Sequence, residues 1–545
     1  MRISIDQFAA LVPKLAPEKL GERQAQTADN VRLLAGVLEC WLSETQELLL
    51  TQAGTLTTAY LFEDQYWFAW TQDVDVVKGP IPDDTSARTY FTGTDQPRWT
   101  DNTLALTGGG TAYPIASRTL GIPAPAAAPT VAVTGVSAET DPSLKDTRSY
   151  VYTYVSDIGE EGPPSPASAL VSPFPDQAVK VDYVAAPAGQ YVISNIRIYR
   201  TSSSGSVTDF QFVVQVANGT SNYSDSIDAS LLGEVLPSED WIAPPTGMIG
   251  LVALPNGILA GFDGNDICIC EQYLPHAWPT AYKHTTSEDV VGLAAVDNAL
   301  VVLTDKVPYL ITGSSPATMT MTKIEGAEQA CVAKRSIDIL PGYGCVYASP
   351  DGLIAISGAG VRNLTKEYLA RREWQALTPT SIIGVVHEGR YFGFYGSGAD
   401  QQCFVFDPDE GGGAFYHLVF VSDDVQGAYR DAQTDTLYLL RDTNELWSWA
   451  TEAGTTFANF KWRSKVFVLP RPAAFSCGQV RANSYADTLT LRLYGDGALV
   501  DTVTVTDDFV FRLGVTSRYK RWEMEIEGTD PVLDMQIAES VEELQ

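Results

Sequence analysis

Short apolar runs separated by turn residues recur along the whole chain. Residues 60–62 (YLF) and 66–70 (YWFAW) flank Asp64 and predict two strands about a tight turn. Residues 150–155 (YVYTYV) alternate, 159–164 (GEEGPP) read as a loop, and 179–181 resume a strand. Residues 196–200 (IRIYR) and 210–214 (FQFVV) predict a further pair around a Ser/Gly turn. Residues 461–469 (KWRSKVFVL) alternate polar and apolar positions as a one-sided strand does; 487–494, 500–505 and 521–526 continue that unit, with Gly495-Asp496-Gly497 as a hairpin turn. Pro13 and Pro17 interrupt any long helix near the start, and residues 24–32 suit either one helical turn or an extended docking segment. The acidic end, residues 539–544, reads as a frayed tail.

Two composition breaks bound a separate module. Residues 121–129 (GIPAPAAAP) form a stiff Pro/Ala linker, and a second break comes at Pro237 and at Ala243-Pro244-Pro245. Seven or so short strands between them predict a small sandwich. Downstream, one unit recurs: an apolar strand, a polar turn, and a strongly apolar strand. It is found at 251–262, 292–303, 345–356, 383–395 and 427–440, at roughly the spacing of a four-stranded propeller blade. Further blades from residues 50–120 would make the sandwich an insertion, and strands from both chain ends would close the ring without an exposed edge.

The chain has 545 residues, length for several domains and cores without disulfide or metal staples. Its 67 acidic and 36 basic residues give a formal charge of -31, which argues against gripping nucleic acid or anionic membranes. Basic residues come only in scattered pairs such as Lys334-Arg335 and Arg371-Arg372. The acidity fits either a well-solvated surface or a wall along which DNA slides. The seven cysteines (Cys40, Cys268, Cys270, Cys331, Cys345, Cys403 and Cys477) are odd in number and mostly lie in apolar runs, as buried free thiols of a cytoplasmic fold do. Cys268 and Cys270 would share one face of a strand. No secretory signal or membrane-spanning run is read, so the expectation is a soluble chain.

Candidate chemistry is sparse. The four histidines (His276, His284, His387 and His417) form no metal-binding pair by spacing, and His387 sits in an expected turn. No nucleophile elbow or phosphate loop occurs; Gly108-Gly109-Gly110 and Gly411-Gly412-Gly413 read as flexible loops, the latter able to occlude a channel. Ser349-Pro350-Asp351-Gly352 faintly resembles the aspartate-box turn of sialidases but reads as a hairpin turn. Asp73/Asp75, Asp83-Asp84, Asp423-Asp424 and Asp507-Asp508 read as solvated turns, not calcium loops. The 160–166 segment (EEGPPSP) is either a partner-binding loop or a rigid turn. The expectation is therefore no catalytic, cofactor-binding or metal residues, and no enzyme.

Several phrases resemble one family. These are Pro17 with 25–31 (AQTADNV) and Leu38; the strand 150–155 with the loop 160–164 and 196–200; 303–309 (LTDKVPY), 329–336 (QACVAKRS) and 347–353 (YASPDGL); and 462–465 (WRSK). In layout and in these phrases the chain resembles the β-propeller nozzle, or tail-hub, proteins of short-tailed bacteriophages. The resemblance implies an all-β fold: a propeller interrupted by a fibronectin-III-like sandwich, with an additional C-terminal β unit. Its expected parts are an N-terminal arm or docking segment (1–50), the first part of the propeller (51–122), the inserted sandwich (123–245), the remainder of the propeller (246–458) and a C-terminal β domain (459–545). It further implies a virion tail protein made in the host cytoplasm. A homohexameric ring below the portal and adaptor would extend or close the DNA channel, let DNA pass without specific binding, and anchor tail fibres or spikes. The alternatives from the residues are a propeller glycosidase, a carbohydrate-binding protein, or a host-surface adhesin that binds through the sandwich.

Overall fold

The computed structural model describes residues 1–544 except 187, 188, 190, 205, 206, 325, 327, 359, 409–413, 420–423 and 450–456. The expected Ser/Gly turn at Gly205, the loop Gly411-Gly412-Gly413 and Asp423 lie outside the described residues. Strands make up 47% of the chain and helix 8%, which sets the class as all-β. No helix among the described residues is long and apolar enough to cross a membrane. The chain divides into two compact units, Met1–Asp73 with Val301–Leu310 and Lys323–Gln545, and Val74–Leu300 with Ile311–Thr322.

The first unit carries successive four-stranded antiparallel meanders, the blade form of a β-propeller. One comprises Asp338–Leu340, Gly344–Ser349, Gly352–Ser357 and Gly360–Asn363; the next comprises Ile383–His387, Arg390–Tyr395, Gln402–Asp407 and Ala414–Leu418. In the second, the Phe404 ring stacks on Phe415 with centroids 5.3 Å apart. A Cβ on Gly393, opposite Phe404, would lie 2.4 Å from that ring, so glycine is required there. A third meander, Val425–Asp431, Thr436–Arg441 and Glu445–Trp449, takes its fourth strand, Thr45–Leu49, from near the N-terminus. Arg441 donates to Glu44 at this junction; both side chains are buried, and the guanidinium lies 4.8 Å from the Trp447 ring centroid.

The C-terminal β unit is woven together with the start of the chain. Phe460–Ser464, Tyr519–Gly528, Leu489–Gly495 and Ala498–Val505 form one sheet, which Ala25–Asp29 joins by pairing with Phe460–Ser464. A second sheet contains Cys477–Ala482 and Val532–Ala538, with Arg2–Ile5 antiparallel to the latter. Strict alternation buries Leu489, Leu491 and Leu493, and the inner residues Ile3, Ile5, Val480, Met535 and Ile537 belong to the same core. Residues 24–32 are thus extended, with Ala25–Asp29 and Val31–Leu34 as strands. The acidic end is not a frayed tail: Val541–Leu544 form a 3-10 turn, Leu544 is buried with Cys477 and Ala538, and the Met1 amine donates to Glu539 and Glu543.

The second unit holds two further meanders, Asp75–Lys78 to Arg118–Thr119 and Ile249–Leu254 to His284–Thr285, with the sandwich inserted between them in sequence. The sandwich packs the sheet Thr130–Thr134, Ala178–Asp182 and Asn222–Asp225 against Tyr150–Ser156, Ile193–Ser204 and Val207–Ala217. Among the described residues it has six strands, where about seven are expected. Pro163, Pro164 and Pro166 lack ladder donors. The run around them follows Tyr150–Ser156 through Gly162, Ser165 and Ser168, whose N–H groups donate to the carbonyls of Tyr154, Tyr152 and Tyr150 at 3.0, 2.9 and 2.9 Å. In the sandwich interior Arg200 donates to Asp225 at 2.5 Å, and the Tyr150 hydroxyl donates to the same oxygen at 2.8 Å. Gly121 (φ +89°) packs so closely on Ala243 and Pro244 that the two linkers touch.

Candidate functional site at the base of the sandwich

In the second unit a cluster of buried and half-buried charged side chains gathers on the Glu160-Glu161 turn. This turn follows strand Tyr150–Ser156 and is tied back by the Ser156 hydroxyl, which accepts from the Glu160 N–H at 3.0 Å. Both acids are buried, with relative exposures of 9% and 3%, so the segment is not an exposed docking loop. Glu161 is fully engaged within the sandwich. It accepts from Thr153 Oγ1 at 2.6 Å, from the Tyr199 hydroxyl at 2.8 Å and from Arg197 at 2.8 Å.

Glu160 points out of the sandwich. Its Oε1 lies 3.4 Å from the Arg88 guanidinium and 3.7 Å from His276 Nδ1. Arg88 is presented by the turn before strand Thr89–Thr92. Asp84 organises that turn by accepting from the N–H groups of Ser86 and Arg88, each at 3.0 Å. Burial opposes ionisation of Asp84, but the hydrogen bond from the Ser86 hydroxyl and these N–H bonds outweigh it and hold its carboxyl below the usual range. Glu160 behaves oppositely. Burial pushes its carboxyl up to about 7, and Arg88 only partly offsets this. Burial pushes the His276 imidazole down to about 4, although the ring has a backbone hydrogen bond to Glu161. The ring stands edge-on to Trp241 at 5.8 Å, and its Nε2 is buried without a partner. A second clamp lies alongside: Arg118 donates to both oxygens of Asp157 at 2.8 and 3.2 Å while lying 5.2 Å from the Trp99 ring centroid.

At neutral pH this arrangement holds a carboxyl near its midpoint beside an uncharged imidazole and a fixed guanidinium. It fastens the insert to the meanders that precede and follow it, and the strength of the fastening depends on a proton.

The other sequence candidates are dispersed. His387 is not in a turn: it ends strand Ile383–His387, is 3% exposed, and is held below its usual value by burial. The following turn carries Glu388, which accepts from Arg390 at 3.0 Å and from Arg32 at 3.1 Å. Arg390 also donates to Asp407 at 2.6 Å, and both guanidiniums lie over Trp41. His417 is pushed down to about 4 by burial, and burial also lowers His284. Ser349 and Gly352 close the hairpin turn expected there, with Asp351 paired to Arg371. Asp73 pairs with Lys334 at 3.0 Å, and Asp75 accepts from the Gly250 N–H at 2.8 Å. Asp507 accepts from the Phe509 N–H at 3.1 Å. Among the described residues no group of three or more His, Cys, Asp or Glu side chains is placed to hold a metal ion. Cys268 and Cys270 face one core, as alternation predicts. Asp84 does lie in a turn, as expected, but its side chain is largely buried against Ser86 and Arg88 and is not solvated. Arg88, Arg118 and Asp157 carry no sequence signal, because contacts between distant segments bring them together.

No family model and no curated protein matches the chain in sequence. Solved structures match in fold class only. The N-terminal domain of Nup159 is 9% identical with a TM-score of 0.24, covering 46% of this chain and 86% of that one. U3-55K is 7% identical with a TM-score of 0.30, covering 75% and 98%. The RRP9 WD40 repeats are 8% identical with a TM-score of 0.29, covering 75% and 99%. At these scores the likenesses carry no functional argument.

Proposed function

We propose that the protein is a structural component of a bacteriophage tail, a nozzle or hub. Copies of it form a ring, a hexamer in the resembled family, below the portal and adaptor. The ring extends or closes the DNA channel and anchors fibres or spikes. The observation that carries this reading is the double fastening of the chain ends: Arg2–Ile5 is zipped to Val532–Ala538, and Thr45–Leu49 completes the meander that ends at Glu445–Trp449. Strands held at both ends by partners hundreds of residues away resist unravelling, which suits a part that transmits load during ejection. The net charge of -31 supports the same reading, since a negative wall repels the duplex passing it. In this reading the chain works through its surfaces, in the virion, after synthesis in the host cytoplasm. Negative-stain microscopy of the purified chain, alone and with its tail partners, tests it: rings support the proposal, and monomers under both conditions refute it.

A further inference from the structure

A groove of about 490 Å³ lies over the outer face of the sheet formed by Arg2–Ile5, Val532–Ala538 and Cys477–Ala482. The inner face of these strands is apolar core. The outer face is a ladder of hydrogen-bonding side chains in register. Ser4 stands opposite Gln536, and Gln536 opposite Gln479; one row on, Asp534 stands opposite Arg481. Opposed residues on one face lie close enough to act as a single surface. The row is pre-organised: Gln536 Nε2 donates to Gln479 Oε1 at 2.8 Å, Gln479 Nε2 donates to the Asp508 carbonyl at 2.7 Å, and Arg481 Nε donates to Asp534 at 2.7 Å. On one wall Arg23 grips both oxygens of Asp6, each at 3.2 Å.

We infer that this groove binds a neutral, hydroxyl-rich ligand, a saccharide. Three features select that chemistry. The volume suits a small-molecule site. The charge is balanced, with Arg2, Arg23 and Arg481 against Asp6, Glu22 and Asp534, so a phosphate or sulfate gains no net attraction. Donors and acceptors alternate across the floor, and each Arg–Asp pair holds its guanidinium plane fixed with N–H groups left over. A sugar hydroxyl donates and accepts at once, and such a lattice satisfies both roles. Among the described residues no aromatic ring lines the groove, so binding rests on hydrogen bonds and not on stacking. The affinity of one site is accordingly weak, of roughly millimolar order, and repeated copies of the chain would raise it by avidity.

The test is saturation-transfer NMR on the full-length chain with maltohexaose, cellohexaose and a galactomannan oligosaccharide, run in parallel with inorganic sulfate. The inference expects transfer to at least one neutral sugar, unchanged by added salt because no net charge is neutralised. It expects loss of that signal in Ser4→Trp, which fills the groove from an exposed strand position, and at least a tenfold weakening in Arg481→Ala. Near-UV circular dichroism matching the parent shows that each variant is folded. Absence of binding to all three sugars, binding that survives both folded variants, or preferential binding of sulfate in the groove overturns the inference. The oligomeric state of the chain does not enter the result, so the groove and the tail proposal stand or fall separately.

Discussion

Glu160 and Arg88, 72 residues apart in sequence, meet at 3.4 Å across the junction between the inserted sandwich and its supporting meander. Burial outweighs the guanidinium and leaves the Glu160 carboxyl near 7. Its folded value is raised above the ordinary 4.5, so the stabilisation it contributes is complete below pH 4.5 and is lost as pH rises through 7. A displacement of that size corresponds to about 3 kcal/mol. His276, lowered from 6.5 to about 4, has the opposite sign: its contribution is complete above pH 6.5 and is lost as pH falls toward 4. The two slopes oppose each other over their shared range. Glu160→Gln removes one of them. Urea melts of the parent and the variant from pH 4.5 to 7.5 should show stability rising more steeply with pH in the variant up to 6.5, and no decline from 6.5 to 7.5. Parallel profiles would show that Glu160 does not titrate in this range.

The Glu44–Arg441 pair predicts a larger and simpler effect. Both side chains are buried where Thr45–Leu49 pairs with Glu445–Trp449. Glu44→Ala removes the carboxylate that faces the buried Arg441 guanidinium, at a cost of about 3 kcal/mol. Glu44→Gln keeps a hydrogen-bond acceptor and should cost less. Thermal melts of the two variants check the order; equal melting temperatures for parent and Glu44→Ala would show that the junction carries little stability.

Much of the fold could be read from local pattern. The hairpins at 251–262, 345–356, 383–395 and 427–440 form as expected, because both strands and their turn lie within a few residues of each other and alternate in register. Ring closure predicts that a strand near the N-terminus joins a late meander, as Thr45–Leu49 does, but which residues of 1–50 pair with which cannot be read. Arg2 pairs with Ala538, and periodicity carries no information about register over such a separation. The end of the chain escapes local pattern for a related reason: Glu539 and Glu543 stay at the surface, and only the Met1 amine beside them shows that this segment is tied down. At the candidate site, Gly-Glu-Glu-Gly-Pro-Pro has the composition of an exposed turn. Only the tertiary placement of Arg88, His276 and Arg197 shows that the two acids are buried.

The cysteines give a third check. All seven are free, and Cys40 alone is only partly buried. Burial pushes the Cys40 thiol up to about 11, so it is a poor nucleophile even where it is reached. Iodoacetamide labelling read by peptide mass spectrometry should modify Cys40 slowly in the native protein and all seven cysteines after denaturation. Rapid native labelling of Cys345 or Cys403, whose thiols burial raises well above the ordinary value, would contradict the packing described.

We have proposed that this chain is a self-assembling part of a tail. Native mass spectrometry of the full-length protein, alone and mixed with the adaptor and fibre proteins of the same virion, tests it most directly. The account predicts a closed assembly of identical copies, formed either spontaneously or on the adaptor. A monomer under every one of these conditions would contradict it.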